Sequence, residues 1–338
     1  MDNDKIKEMN EEEKKKQAEK ALLYDSEEPE GVAIGGYDFG GGVNWEKLVD
    51  SFESTGFQAS NFSKAVKITD NMIKNNAFIF LGYTSNLVSS GLRDIIRYLS
   101  KNKKVDALVT TGGGIEEDFV KCLGNFILGD FKADGSELRK KGINRIGNIY
   151  VPNDRYVKFE EFVQPVLEEL WKEQEKTGKV ICGSDLIWKL GEKINDERSI
   201  YYWAWKNKIP VYSPALLDGA LGDNIYFFKF KHPEFKIDIA EDIKRFNDLT
   251  IGLKKSGLII LGAGSSKHAV LNANMLREGA DYAVYINTAQ EYDGSDSGAM
   301  PEEAKSWGQL NSSTEEVKVF GDASILFPIL VGKTFAKE

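Results

Sequence analysis

The sequence contains few of the residues that form disulfides or bind metals. Its 338 residues include two cysteines, Cys122 and Cys182, and two histidines, His232 and His268. The cysteines are far apart and no CxxC pair occurs, so neither a zinc ribbon nor a disulfide framework is supported. Two histidines do not make a His-rich metal centre, and we expect no metal site. Unpaired cysteines fit a reducing environment, so we expect a cytoplasmic protein.

Long apolar runs and an excess of basic charge are also absent. No run of 18 apolar residues occurs, so we expect no membrane span. The first residues, MDNDKIKEMNEEEKKKQ, have the features of neither a signal peptide nor a transit peptide. With 44 basic and 53 acidic residues, the formal net charge is −9, which argues against a broad nucleic-acid-binding surface. An acidic protein attracts basic proteins or polyamines instead.

Charged residues dominate the N-terminus. Residues 1–23 are almost all charged, and the pairs Glu11–Lys15 and Glu12–Lys16 are four apart, which predicts a solvent-exposed helix. We therefore divide the chain into a charged N-terminal extension, residues 1–34, and a folded domain, residues 35–338. The chain is 41% hydrophobic, which is enough for a large core.

After two expected helices, at 45–52 and 62–73, one unit recurs: a short apolar strand, a loop rich in Gly, Ser and Thr, and a helix. The strands are expected at 78–81, 107–109, 208–211, 257–261, 283–286 and 317–320. This alternation predicts an α/β fold with a doubly wound, mostly parallel, Rossmann-like sheet, helices on both faces and an N-terminal helical extension. Ligands of such sheets bind outside the carboxyl ends of the strands, where these loops fall.

The stretch from Asn287 to Gln309 concentrates acidic residues around one tryptophan. Pro301 suits the first turn of a short helix, because its missing N–H would have no partner there, and Gly308 is placed to end that helix. Glu303 and Trp307 are four apart and share a face of it. Carboxylates beside an indole suit an organic polycation, with about 0.5–2 kcal/mol from the cation–π contact. The alternative is a solvated acidic loop, a common surface feature.

Other motifs are weaker. The loop after residue 261 lacks the third glycine of a dinucleotide fingerprint, because Lys267 stands there. The run Gly112–Gly114 opens a helix and suits either a phosphate or a tight strand-to-helix turn. His268 follows a strand end and suits either a pocket or a structural hydrogen bond. The sequence GSDSG places Asp296 where a serine hydrolase needs its nucleophile, so that motif fails.

Several long blocks of the sequence resemble the deoxyhypusine synthase family. The blocks are GYDF (36–39), TGFQASNF (55–62), FLGYTSNLVSSGLR (80–93), VTTGGGIEEDFVKCL (109–123), INRIGNIYVPNDRY (143–156), IPVYSPALLDGALGD (209–223), KHAVLNAN (267–274), INTAQEYDGSDSGA with PEEAKSWG (286–308) and GDASILFP (321–328). They cover nearly all of the chain from residue 35. The resemblance implies that this part is an NAD-binding domain that transfers the aminobutyl group of spermidine to a lysine of a translation factor precursor.

The resemblance also implies where ligands bind. The NAD contacts would fall on Ser85, Asn86, Ser89, Thr111, Gly112, Glu117, Asp218, Thr288, Ala289, Asp322 and Ala323. The spermidine contacts would fall on Glu116, Asp223, Asp293, Ser295, Asp296, Glu303 and Trp307. His268 matches the histidine that transfers a proton as spermidine is dehydrogenated. The family is tetrameric, with sites built across subunit interfaces.

One position departs from the family pattern. The family motif ends in Trp-Gly-Lys, and its lysine forms a covalent imine, but here Gln309 follows Trp307 and Gly308. A carboxamide has no basic nitrogen with which to form a Schiff base. The preferred interpretation is a catalytically deficient or regulatory subunit, a pseudoenzyme that works in a hetero-oligomer with a lysine-bearing paralogue.

Two alternatives remain open. In the first, the chain is an active synthase, or an oxidative spermidine dehydrogenase, that works without the enzyme imine. In the second, it is an unrelated NAD-dependent dehydrogenase. The last explains the glycine loops but not the acidic stretch. A second departure is the short segment at 74–77, where many members have a longer one.

Overall fold

The computed structural model describes residues 6–337, which form two compact units. The first ends at Gly35 and the second begins at Gly36. The helices are α1 (Glu11–Leu22), α2 (Trp45–Asp50), α3 (Phe52–Thr55), α4 (Phe57–Lys74), α5 (Ser85–Ser89), α6 (Leu92–Lys101), α7 (Gly112–Leu123), α8 (Gly135–Lys140), α9 (Asp154–Thr177), α10 (Gly183–Ile194), α11 (Ile200–Asn207), α12 (Ala220–Lys231), α13 (Ile239–Ile251), α14 (Ser265–Met275), α15 (Pro301–Ser306) and α16 (Ala323–Lys333). The strands are β1 (Phe78–Tyr83), β2 (Ala107–Val109), β3 (Ile127–Leu128), β4 (Ile143–Ile146), β5 (Ile149–Pro152), β6 (Ile181–Cys182), β7 (Val211–Tyr212), β8 (Ile237–Asp238), β9 (Ser256–Leu261), β10 (Ala280–Asn287) and β11 (Leu310–Phe320).

The first unit contains the expected exposed helix, α1. Asn10 caps it by accepting a hydrogen bond from the backbone N–H of Glu13, whose side chain bonds back to Asn10. Of the two expected charge pairs, Glu12–Lys16 forms at 3.0 Å. Lys15 instead faces Glu19, the carboxylate one turn further along the helix. The division between residues 34 and 35, and its reading as an extension and an NAD-binding domain, stays a prediction.

A six-stranded parallel sheet forms the centre of the second unit, which confirms the predicted fold class. Its strand order is β11-β10-β9-β1-β2-β7, and every neighbouring pair is parallel. Numbered by their place in the chain, these strands run 6-5-4-1-2-3, the order of a Rossmann fold. The order reverses between β1 and β9, so the crevice for a ligand lies at the carboxyl ends of these two strands.

Apolar residues on both faces of the strands hold the helices to the sheet. Ile79 and Leu81 of β1 pack in a core with α4, α6, α7 and α16, whereas Phe80 packs in a second core with α13 and α14. This alternation follows from the two-residue period of a strand, and it confirms that helices cover both faces.

Some element boundaries differ from the expected ones. The strand expected from Lys208 begins at Val211, because α11 continues to Asn207 and Lys208 ends it with a positive φ of 59°. The helix expected at 45–52 divides into α2 and α3, and α4 begins at Phe57 rather than Phe62. The short segment after α4 is a turn in which Asn76 has a φ of 51°. No helix within residues 6–337 is long and apolar enough to cross a membrane.

Candidate active site

A cavity of about 470 Å³ lies where the strand order reverses; we call it the switch-point cavity. It is lined by Thr84, Asn86, Leu87, Gly262, Ala263, Gly264, Ile286, Asn287, Thr288, Ala289, Ser297, Gly321, Asp322 and Ala323. These residues come from the loops after β1, β9, β10 and β11. Gly262 has a φ of 74°, and a Cβ there would lie 2.5 Å from Oγ1 of Thr84, so the close approach of the two loops requires glycine.

Five of the residues expected to contact NAD line this cavity. They are Asn86, Thr288, Ala289, Asp322 and Ala323. Asp322 caps α16 by accepting a hydrogen bond from the N–H of Ser324 at 2.8 Å. The cavity therefore combines polar loops with the N-terminal end of α16, as a dinucleotide site requires.

Three more of the expected NAD residues lie on α5 and α7. The Ser89 hydroxyl at the end of α5 donates a hydrogen bond to Glu117 of α7, and Ser85 begins α5. Burial raises the pKa of Glu117 to about 7, although the Ser89 hydrogen bond opposes this rise. Glu117 is thus a buried carboxyl that titrates near neutral pH.

The backbone N–H of Gly112, at the N-terminus of α7, is engaged within the chain. The N–H of Gly112 donates to the carbonyl of Ala215 at 3.0 Å, and Thr111 precedes it as the N-cap. The loop after β7 therefore already accepts the hydrogen bond that this N–H can donate. Asp218, at the end of that loop, lines an apolar groove of about 630 Å³ together with Leu216, Ile243 and His268.

A second cavity, of about 490 Å³, is lined in part by the stretch from Asn287 to Gln309; we call it the acid–tryptophan cavity. It is lined by Lys267, His268, Leu271, Asn272, Met275, Gly294, Asp296, Ala299, Met300, Glu303, Ala304, Trp307 and Gln309. The predicted residues His268, Asp296, Glu303, Trp307 and Gln309 thus come together. Pro301 begins α15 and Gly308 follows it with a φ of 71°, as expected.

Two buried lysines hold the loop that carries Asp296. The ammonium of Lys267 donates to the carbonyls of Asp296 and Ala299, and that of Lys318 donates to the carbonyls of Ala289 and Gly298. Burial lowers the pKa of both lysines. Sequence reasoning missed these roles, although a lysine between Val317 and Val319 of an apolar strand signals a buried cation that needs acceptors.

The turn before α15 also depends on a close backbone approach. A Cβ at Gly298 would lie 1.6 Å from the carbonyl oxygen of Gln290. Glycine is therefore required where the loop closes on itself. In the described part of the chain, Oδ2 of Asp296 is buried without a hydrogen-bond partner. A buried carboxylate oxygen without a donor is costly, and a cationic ligand would satisfy it.

Gln309 is buried, with 7% of its surface exposed. Its side chain is linked to that of His268 through Asn272, which is hydrogen-bonded to both. Its Nε2 donates to Oδ1 of Asn272 at 2.8 Å, and Nδ2 of Asn272 lies 2.8 Å from Nε2 of His268. Sequence reasoning missed Asn272, although its spacing of four from His268 on one helix was a signal. Lys305 pairs with Glu302 and Glu316.

The other predicted spermidine residues lie elsewhere. Glu116 accepts a hydrogen bond from the N–H of Leu221 at 2.7 Å, and burial raises its pKa, with Asp223 among the nearby charges. Asp293 is exposed and accepts a hydrogen bond from the N–H of Ser295 at 2.8 Å, and this bond lowers the pKa of Asp293. Glu116 and Asp223 therefore belong, with Ser89 and Glu117, to a group on α5, α7 and α12, which we call the α5–α7–α12 group. Asp293 and Ser295 lie on the loop before α15 and do not line the acid–tryptophan cavity.

Comparisons with known proteins agree with the fold. A sequence profile of the family described as deoxyhypusine synthase matches residues 47–334. The deoxyhypusine synthase of Senecio vernalis is 48% identical over 345 residues, covering 94% of this chain and 93% of the relative. That of Musa acuminata is 50% identical over 331 residues, covering 90% and 88%.

Among solved structures, that of a candidate deoxyhypusine synthase from Entamoeba histolytica is similar to this chain. The TM-score is 0.66 and the sequence identity 33%, and the match covers 90% of this chain and 97% of the other. The family profile covers most of the chain, and the matches to relatives near 50% identity cover about nine tenths of both proteins. The chain therefore belongs to the deoxyhypusine synthase family.

Proposed function

We propose that this chain is a deoxyhypusine synthase family subunit that retains its ligand sites but needs a lysine-bearing paralogue for transfer. The observation that carries the proposal is Gln309, which lines the acid–tryptophan cavity beside His268 and Asp296. The position that bears the imine-forming lysine in the family thus faces the expected substrate site. A carboxamide cannot supply the amine there.

NAD is the proposed cofactor, and the switch-point cavity fits it. The cavity lies at the reversal of strand order, between polar loops and the capped N-terminus of α16. Asn86, Thr288, Ala289, Asp322 and Ala323 would hold the cofactor in this cavity. Bound NAD would supply the hydride acceptor for an amine substrate.

The residues of the acid–tryptophan cavity suit a linear polyamine such as spermidine. Asp296 and Glu303 would bind ammonium groups, and the Trp307 ring would contact the cationic chain. His268 would receive or donate a proton as the carbon–nitrogen bond is oxidised. The four-carbon unit would then need a primary amine to form a new C=N bond and release the diamine, and Gln309 has none.

The remaining predicted residues fit a site shared between subunits. Glu116, Asp223 and Glu117 form a separate acidic group on α7 and α12, and Asp218 lines the apolar groove that also contains His268. In a tetramer with sites at subunit interfaces, the α5–α7–α12 group of one subunit would complete the cavity of another. The partners are therefore the lysine-bearing paralogue and the precursor of the hypusine-containing translation factor, in the cytoplasm.

The test compares this chain alone, the paralogue alone and the two co-purified, each with NAD, labelled spermidine and the precursor protein. We expect label transfer by the mixture, transfer by the pure chain near background, and a hetero-oligomer by mass measurement. Robust deoxyhypusine formation by the pure chain would overturn the proposal. NADH formation from spermidine by the pure chain, without label transfer, would instead establish the alternative oxidative activity.

A further inference from the structure

Three side chains form a continuous hydrogen-bonded chain at the wall of the acid–tryptophan cavity. Gln309 donates from Nε2 to Oδ1 of Asn272 at 2.8 Å, and Nδ2 of Asn272 lies 2.8 Å from Nε2 of His268. His268 and Asn272 are one turn apart on α14, and Gln309 comes from the turn after α15. Position 309 is thereby linked to the histidine without touching it.

The direction of this series of hydrogen bonds follows from Gln309, whose Nε2 is the donor to Asn272. Asn272 has an acceptor on one side and a donor on the other, so accepting from Gln309 turns its Nδ2 toward His268. Nε2 of a neutral His268 must then be the acceptor, and the proton resides on Nδ1. Nδ1 lies 3.8 Å from Oδ1 of Asp296, whose negative charge favours a proton on that nitrogen. Asn272 beside Nε2 and Asp296 beside Nδ1 therefore favour the same tautomer of His268.

We propose that Gln309 is a positioning residue, which acts through Asn272 to hold His268 with Nε2 unprotonated and Nδ1 protonated. A lysine ammonium only donates hydrogen bonds, so it would likewise donate to Oδ1 of Asn272 and turn Nδ2 toward His268. Glutamine thus replaces the donor function of a lysine at this position, while it lacks the reactive amine. This tautomer is not the default, because an unconstrained imidazole in water favours the proton on Nε2.

For the reaction, the inference rests on the proposed function. The Nε2 lone pair is engaged by Asn272, so His268 accepts a proton at Nε2 only when Asn272 releases it. Nδ1 presents its N–H toward Asp296 and the cavity. Lys267 and Glu303 are the other charged groups that line this cavity. Gln309 would thereby determine which ring nitrogen exchanges a proton with the substrate.

The two histidines of the chain make a direct test feasible. We would record imidazole 15N spectra of the 15N-histidine-labelled full-length protein at a pH well above 6.5, about the ordinary pKa of histidine. We expect Nε2 of His268 to resonate as an unprotonated nitrogen. His232, which contacts Glu168 through Nε2 at 2.9 Å, is an internal reference remote from position 309.

The decisive variant is Gln309→Glu, which has nearly the same shape but accepts hydrogen bonds only. The carboxylate would turn Asn272 around, so that Oδ1 faces His268 and Nε2 becomes protonated, as a neutral ring or as imidazolium. We expect the Nε2 signal to shift to that of an N–H nitrogen. Gln309→Lys, which keeps a donor, should leave the signal in place, and His232 should be unchanged in both variants.

A protonated Nε2 in the unaltered protein would overturn the proposal. So would an unprotonated Nε2 in a folded Gln309→Glu variant. If that variant does not fold, Asn272→Asp places an acceptor directly against His268 and should protonate Nε2 in the same way. These measurements require neither substrate nor turnover, so their outcome is separate from that of the transfer assay.

Discussion

Nδ1 of His268 lies 3.8 Å from Oδ1 of Asp296 at the edge of the acid–tryptophan cavity. The separation is too long for a hydrogen bond, yet short enough for the carboxylate charge to act on the ring. Lys267, though buried nearby, donates to backbone carbonyls of the loop rather than to this carboxylate. Asp296 is therefore held beside the histidine with acceptor capacity unused.

We expect Asp296→Asn to weaken spermidine binding by about 10–100-fold, because it removes a charged acceptor worth about 1.5–3 kcal/mol. Calorimetric titration of the NAD-saturated hetero-oligomer with spermidine would measure the loss. Asp134→Asn, which alters the exposed cap of α8, is the matched control and should bind as the parent does. An unchanged dissociation constant for Asp296→Asn would remove this carboxylate from the substrate site.

Gln309→Lys should create an imine-forming amine in a cavity that already contains the other expected groups. We expect aminobutyl transfer by the pure chain to rise at least about tenfold, equivalent to about 1.4 kcal/mol of barrier. Labelled spermidine and the precursor protein give the rate, and borohydride should trap label on the chain. Gln309→Met, of similar length without an amine, should give neither. A Gln309→Lys variant that binds spermidine but remains inactive would contradict this prediction.

The sheet could be predicted from the sequence because its strands are short apolar runs separated by loops with strong signals. The strands expected at Phe78–Leu81 and Gly257–Leu261 lie within β1 and β9, because short apolar runs flanked by loop residues favour a buried strand. The strand at Val211 was misplaced because Ile209 and Pro210 extend the apolar run beyond the end of α11. Local pattern does not show that Lys208, the residue after α11, adopts a positive φ and ends the helix.

The site was predicted only in part from residue types. The acidic stretch indicated a cation site, and Asp296, Glu303 and Trp307 do line one cavity. The link from Gln309 to Asn272 joins residues from two separate elements, which no spacing along the chain reveals. The separation of Glu116 and Asp223 from that cavity likewise depends on how α7 and α12 pack.

Glu117 should make stability depend on pH. Burial raises its pKa from 4.5 to about 7, so the folded chain binds this proton more tightly than the unfolded chain. The resulting cost to folding is absent below about pH 4.5 and complete above about pH 7, where it approaches about 3 kcal/mol. Glu117→Gln should therefore raise the free energy of unfolding at pH 8, and the gain should fade toward pH 5. Urea titrations at several pH values measure it.

The exposed Glu137, which pairs with Lys140 at 2.6 Å, provides the matched control for Glu117. Glu137→Gln should change the free energy of unfolding by less than about 0.5 kcal/mol at every pH, as exposed substitutions generally do. A Glu117→Gln gain that is the same at pH 5 and pH 8 would show that packing, and not ionisation, is responsible.

Lys318→Met should loosen the loop that carries Asp296. The lysine donates to the carbonyls of Ala289 and Gly298, and a methionine of similar volume leaves both without this donor. Each unpaired buried carbonyl costs about 1–3 kcal/mol, so for the two carbonyls we expect a loss of about 2–6 kcal/mol in stability. Backbone amides of residues 289–299 should exchange hydrogen faster than in the parent, and their exchange rates should increase more than those of amides in β10.

Lys244→Met, at an exposed lysine that pairs with Asp248 at 2.5 Å, is the control for lost charge and should leave exchange unchanged. The distribution of faster exchange distinguishes the causes. If the sheet loosens as much as the loop, Lys318 stabilises the strand rather than the site. If neither changes, other donors satisfy the two carbonyls. Faster exchange confined to the loop would establish that a buried cation in β11 holds Asp296 at the cavity wall.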